Sequence, residues 1–332
     1  MKIGTVNHLG KETLIIKVSE DQAATLASAY SAIGIPNPPE TLQEMIDRGQ
    51  DEIDNAKRAT DAALASPSLV ELLPIESLDW LPPQPRPPKM LNVAVNNNDL
   101  NQYAFRKPTQ PMFFLKPPTC LIGHGKNIEL MQEHAFTVPE PEIAAVFKKG
   151  GKCIPVEDAL DHLLGYTIQN DLTASGVKFN IDSVALQMAK PSDLRPHHTA
   201  WREKFGDEDR YLYFTYHTRS KGSDTFGPMG PWLVVDEIAD PNNVVVRSWV
   251  DGEQYTEDTT ANYMFDLAYA IHEASRYFTF QAGDIMSFGT AGLGVGRFAR
   301  GNRDVNLQDF SEVVCEFEGI GVLSNPIVKV IR

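Results

Sequence analysis

The stretch Val138-Pro-Glu-Pro-Glu-Ile-Ala-Ala-Val-Phe147 closes in an apolar run that reads as a buried β-strand. Glu140 and Glu142 stand at its mouth. Side chains of a strand alternate between faces with a period of two, so both carboxylates face the same side. Like charges held that close repel unless a cation or a proton lies between them. The pair therefore suggests a site for a hard divalent metal. The alternative is an edge strand whose two glutamates face water, which Pro141 also permits.

Working outward, Gly165-Tyr-Thr-Ile-Gln-Asn forms a short strand that ends at Asp171. Its carboxylate would project from a sheet rim, and it is the natural third ligand. Mg²⁺, Mn²⁺ and Ca²⁺ prefer oxygen donors and suit three carboxylates. Zinc or copper would call for His or Cys, which this constellation lacks. Arg219-Ser-Lys-Gly-Ser-Asp-Thr-Phe-Gly-Pro-Met-Gly-Pro231 reads as a loop from its Gly and Pro density. Lys221 within it could stabilise a substrate carboxylate or a developing enolate, or could be a solvated turn lysine. Gly289-Thr-Ala-Gly-Leu-Gly-Val-Gly296 lacks both the P-loop Lys-Ser/Thr and the dinucleotide spacing. Thr290 and the backbone amides of that loop could instead hold a carboxylate. His124 and His134 are weak candidates for a general base, and the adjacent His197 and His198 read first as surface residues. There is no nucleophile elbow.

The remaining sequence sets the frame. Its 332 residues fit one large domain plus a small one, with 42% hydrophobic and 22% charged residues, ordinary for a globular protein. The net charge of −14 argues against nucleic acid or an anionic membrane as partner. Three widely spaced cysteines, Cys120, Cys153 and Cys315, read as small core fillers in a reducing compartment. No signal core or membrane-length apolar stretch is visible, so the expected location is cytoplasmic. A hairpin turning at Gly10 precedes a helix opening at Pro39, with Leu42, Met45, Ile46 and Ile53 at helical spacing and Ala56, Ala63 and Leu64 continuing the face. Pro82-Pro-Gln-Pro-Arg-Pro-Pro88 reads as a semi-rigid linker, dividing residues 1–85 from residues 86–332. Beyond it, short strands dominate, interrupted by helices expected over Pro155–Leu164 and from Thr259–Thr260 onward. The pattern is α+β, rich in antiparallel strands.

In this order the segments resemble the fumarylacetoacetate hydrolase family. The resemblance is carried by Phe113-Phe-Leu-Lys-Pro-Pro118, Glu140 with Glu142, Gly165 to Asp171, and Lys221-Gly-Ser-Asp-Thr-Phe-Gly-Pro-Met-Gly-Pro231. Ala282-Gly-Asp-Ile-Met-Ser-Phe-Gly-Thr-Ala-Gly292 and Glu318-Gly-Ile-Gly-Val-Leu-Ser-Asn-Pro326 add to it. It implies a mixed β-roll or β-sandwich domain at the C-terminal side of a small N-terminal α+β domain, usually in a homodimer. It also implies Mg²⁺ (or Mn²⁺ or Ca²⁺) on Glu140, Glu142 and Asp171, with Asp99 as a fourth ligand, and Lys221 and Thr290 in contact with substrate. The substrate class implied is a small anionic 2-oxo or β-diketo acid.

The departures from the family pattern bear on the reaction. Hydrolases of the family carry Gly-x-Asn-Tyr-x-x-His-x-x-Glu after the linker, where the His–Glu pair activates water. Here Ala94-Val-Asn-Asn-Asn-Asp-Leu-Asn-Gln-Tyr103 places Leu100 and Tyr103 at those positions. Ser175 replaces an arginine often found after the Asn-Asp pair, and an added segment carries His197, His198, Trp201 and Arg202. The leading expectation is C–C bond hydrolysis with a base borrowed from His197 or His198. The rival is a lyase, a dehydratase or decarboxylase that needs no attacking water. A third reading is an inactive binding homologue.

Overall fold

A computed structural model describes residues 1–331, apart from the side chain of Leu100. Its centre is a 12-stranded sheet. The main path runs Leu72–Pro74, Gln22–Thr25, Lys11–Lys17, Lys2–His8, Gly227–Val234, Leu163–Asn170, Pro141–Phe147, Ile285–Thr290, Met90–Ala94 and Met112–Lys116. Pairing along this path is antiparallel except between Ile285–Thr290 and Met90–Ala94, which run parallel. A five-stranded sheet of Glu253–Thr259, Val245–Val250, Glu312–Phe317, Gly321–Lys329 and Ile128–Leu130 packs against it. This is the α+β architecture that the resemblance implies.

Every residue of Pro141–Phe147 is buried, because both faces of the strand are covered. Ile143, Ala145 and Phe147 pack with Leu267, Ile271 and Ala274 of helix Leu267–Tyr277 and with Val246, Cys315 and Phe317 of the smaller sheet. Ala144 and Val146, one residue out of phase, pack with Leu42, Met45, Ile53 and Ala56 of the N-terminal helices. The N-terminal strands continue the main sheet where Lys2–Gly4 pair with Trp232–Val234. Pro82, Pro83 and Gln84 are buried, and the Thr5 hydroxyl donates to the Pro83 carbonyl at 2.8 Å. The proline run is thus packed against the sheet.

Several local readings are corrected. The helix expected over Pro155–Leu164 is two 3₁₀ turns, Val156–Asp158 and Leu160–His162, before the chain enters strand Leu163–Asn170. The helix from Pro39 is broken at Gly49, whose φ of 86° separates Leu42–Asp47 from Gln50–Ala65. Leu64 faces solvent, 49% exposed. Cys120 and Cys315 are buried fillers, but Cys153 is exposed.

Candidate metal centre and active site

Glu140, Glu142 and Asp171 converge as the strand alternation requires. Each offers an oxygen within 4.8 Å of the others. Strand Pro141–Phe147 carries the two glutamates to its N-terminal end. The neighbouring strand, paired Pro141 to Asn170, delivers Asp171 immediately beyond its last residue. Two hydrogen bonds lock that junction: Asp171 N–H donates to Glu140 O at 2.8 Å, and Glu140 N–H to the side-chain Oδ1 of Asn170 at 2.9 Å. Gly289, at φ 98°, brings its N–H to Glu142 Oε2 at 3.2 Å. A Cβ there would lie 2.7 Å from Asn96 Cβ, so a side chain would push the strand off the carboxylate.

Two lysines balance the three acids. Lys116, fully buried, donates to Asp171 Oδ1 and to Phe226 O at 2.8 Å. Lys221 donates to Glu140 Oε2 at 2.9 Å and to Asp171 Oδ2. Burial alone would raise the pKa of Asp171, but Lys116 and Lys221 outweigh it and hold the carboxyl below its usual range. Burial works against the charge on Lys221 as well, and Asp171, Glu140 and Glu142 together raise it above an ordinary lysine. Glu142 differs. Its hydrogen bonds come from the Ser287 hydroxyl and the Gly289 amide, both neutral. Burial first, and then the charge of Asp171, push its pKa well above that of an ordinary carboxyl.

This donor set fits a hard divalent ion. Opposite oxygens around one ion lie roughly 4.2–4.8 Å apart for bonds of about 2.1–2.4 Å, so the three carboxylates can share one. The ion would supply the positive charge that Glu142 lacks. Asp99 lies outside this cluster, on the rim of an adjoining depression that it shares with Thr290 and Asn302.

A cleft of about 620 Å³ opens above Glu140, Glu142 and Lys221. Thr290 lines it, and so do Lys178 and His217, which sequence reasoning did not single out, along with Phe113 and Phe114. Lys116 also escaped notice, although it sits inside a quoted motif: a lone lysine in an apolar strand carries no local signal of its partner 55 residues away. The amides of the glycine-rich loop are committed elsewhere. Ala291 N–H donates to Pro141 O at 2.9 Å, and the N–H groups of Gly292 and Leu293 donate to Asp258 Oδ2 at 2.9 and 3.0 Å. The expected anion cradle is filled by the chain's own carboxylate, which leaves the Thr290 hydroxyl for a ligand. His197 and His198 pack on each other at 4.2 Å in a 3₁₀ turn of the added segment, His197 exposed, and neither lines the cleft. His134 is buried against Phe226, and His124 packs on Trp80. Tyr103 is 69% exposed, and Leu100 lies outside the described side chains.

The fold and site together define an enzyme-like scaffold built around a carboxylate metal centre. The model of the fumarylacetoacetate hydrolase C-terminal domain matches residues 89–328, and the chain belongs to that family. It is 30% identical over 295 residues to the mitochondrial oxaloacetate tautomerase of Rattus norvegicus, covering 88% of this chain and 81% of that protein. It is also 30% identical over 262 residues to an uncharacterised protein of Archaeoglobus fulgidus, covering 78% of this chain and 86% of the other. Among solved structures, a fumarylacetoacetate hydrolase from Exiguobacterium antarcticum superposes with a TM-score of 0.69 at 24% identity, over 99% and 100% of the two chains. A maleylpyruvate hydrolase from Sphingobium, solved with manganese(II) and pyruvate, superposes with a TM-score of 0.67 at 20% identity over the full length of both. Among the described residues no helix is long and apolar enough to cross a membrane.

Proposed function

We propose that this protein is a divalent-metal-dependent enzyme that interconverts the keto and enol forms of a small 2-oxo acid, with an enolate as the shared intermediate. The observation that carries the reading is the cleft itself. Glu140, Glu142 and Lys221 line it with Asp171 buried behind them, while His197 and His198, expected to activate water for hydrolysis, lie outside it. Keto–enol exchange needs one proton moved and no attacking water. The similarity to proteins named oxaloacetate tautomerase, across most of both chains, supports the same choice.

Glu140, Glu142 and Asp171 would hold Mg²⁺ or Mn²⁺, whose contribution is Lewis acidity toward the substrate's 2-oxo and carboxylate oxygens. Lys221, fixed by Glu140 and Asp171, presents N–H donors where negative charge grows on the enolate oxygen. The Thr290 hydroxyl donates to a substrate carboxylate. Phe113 and Phe114 wall the cleft with apolar surface, which limits water at the reacting carbon.

The test is to load the protein with Mg²⁺ or Mn²⁺, add oxaloacetate as its enol, and follow loss of the enol absorbance. Acylpyruvates assayed in parallel report C–C hydrolysis by their products. Acceleration of ketonisation without cleavage supports the proposal. Cleavage of an acylpyruvate without ketonisation would return the reading to hydrolysis, and failure to bind any divalent ion would sink both.

A further inference from the structure

Among the described residues one imidazole lines the cleft. His217 lines it together with Glu140, Glu142, Lys178 and Lys221. Its own carbonyl accepts the Lys221 N–H at 2.9 Å, so it caps the turn Thr218–Gly222 that carries the lysine. Positions 217 and 221 therefore stand one turn apart on the same side. The ring leans on Phe114 at 6.4 Å, and Lys221 Nζ lies 5.0 Å from the same aromatic ring.

What distinguishes His217, among the described residues, is a buried Nδ1 with no hydrogen bond. Nδ1 of His124, His134, His162, His198 and His272 each meets a backbone group. A buried polar atom without a hydrogen bond is costly, so such groups call for an explanation. A ring with no side chain fixing its tautomer is free to take up and release a proton.

Resting on the proposed function, we infer that His217 is the catalytic residue that moves the proton between C3 and the 2-oxo oxygen of the substrate. In the enolising direction the C3–H bond breaks and its electron pair becomes the C2=C3 bond. The carbonyl π pair moves to the oxygen beside Lys221, and the proton rests on the imidazole before passing to that oxygen. The reverse order gives the keto acid, and no other reactant is consumed. The charged groups around the ring agree with this role. Burial first, then Lys178 on helix Ser175–Asn180 and Lys221 on its own turn, lower the pKa of His217, against a smaller opposing effect of Asp171 and Asp182. The imidazole is therefore uncharged at neutral pH and able to accept a proton.

The experiment combines kinetics with a binding readout. On Mn²⁺- or Mg²⁺-loaded protein, His217→Gln and His217→Ala are expected to lower the ketonisation rate by about 10²–10⁴-fold. Both should retain binding of oxalate, and free imidazole should partly rescue His217→Ala. In the wild type, the rate should rise with pH through the His217 pKa, and that limb should vanish in His217→Gln. Nitrogen NMR of the wild-type imidazole, with Mg²⁺ present, should shift when oxalate is added. A rate within threefold of wild type in His217→Gln, or an imidazole signal unmoved by oxalate, would overturn the assignment. If the wild-type protein itself fails to ketonise oxaloacetate, the proposed function falls. The proton-transfer assignment falls with it, whereas ketonisation by the wild type with an undiminished rate in His217→Gln overturns the assignment alone.

Discussion

Replacing Glu142 by Gln should strengthen the metal-free protein and weaken its hold on metal. Glu142 is 1% exposed and, among the described residues, receives hydrogen bonds only from the neutral Ser287 hydroxyl and Gly289 amide. Its raised pKa means that the folded state binds the proton more tightly than the unfolded chain does. Below pH 4 both states are protonated and Glu142 contributes no difference. As pH rises through the ordinary glutamate range the unfolded chain ionises first, and folding loses about 1.4 kcal/mol per pH unit until the folded pKa is reached. Glutamine matches the protonated glutamate in shape and accepts the same two donors. Glu142→Gln should therefore be more stable than wild type at pH 6, by up to about 2 kcal/mol, and indistinguishable at pH 4. With Mn²⁺ the sign reverses. Loss of one of three ligands should weaken binding by more than about 100-fold, beyond the usual cost of a second-sphere change. Wild-type affinity should climb with pH, because the ion must displace the Glu142 proton. Urea titration at pH 4 and pH 6 without metal, and calorimetric Mn²⁺ titration across pH, measure both halves. Equal stability at pH 6, or undiminished Mn²⁺ affinity, would refute the reasoning.

Lys116→Met removes a buried cation from Asp171 and should destabilise the metal-free protein by about 3–5 kcal/mol, read by urea unfolding, with much of the loss recovered in the Lys116→Met/Asp171→Asn double variant. Lys221→Ala should lower turnover by about 10²–10³-fold. It should leave Mn²⁺ affinity equal or higher, because a positive neighbour of the ion has gone, and calorimetry alongside the enol assay separates the two effects. His197→Ala and His198→Ala should each keep turnover within about twofold, as surface changes usually do. A large loss in either would bring the added segment back to the chemistry.

The centre of the fold was readable where sequence pattern and burial are the same fact. Pro141–Phe147 is an apolar run that satisfies its backbone inside a covered sheet, and it forms as expected, as does the strand expected over residues 165–170. Misreadings arose where tertiary pairing overrode local pattern. Leu160, Leu163 and Leu164 fall at helical spacing after Pro155, but the apolar run continuing through Ile168 is drawn into the sheet, and only 3₁₀ turns remain before it. The Gly and Pro density of Gly227–Pro231 signals a loop, but the segment is a fully buried strand. It pairs with Leu163–Asn170 through a register shift between Tyr166 and Ile168, an irregularity that admits residues a regular strand would reject.

The candidate site divides along the same line. Metal ligands were legible because Glu140 and Glu142 are neighbours in one strand, and the end of the adjoining strand points to Asp171. The groups that set the charge and the proton chemistry come from the walls of the cleft, and no local pattern marks them. Ser175 stands where the resemblance leads one to expect an arginine. Lys178, one turn further along the same helix, lines the cleft in its place, its pKa lowered first by burial, with Lys221 adding to the effect and Glu140 opposing it. His217 lies four residues before the motif lysine, outside every quoted segment. On the proposed function, a cleft that keeps its carboxylates and Lys221 but adds a lysine and an imidazole from new positions would keep metal binding while changing which bond to substrate is moved. On that reading the wall residues 178 and 217, more than the acidic centre, would decide between hydrolysis and tautomerisation.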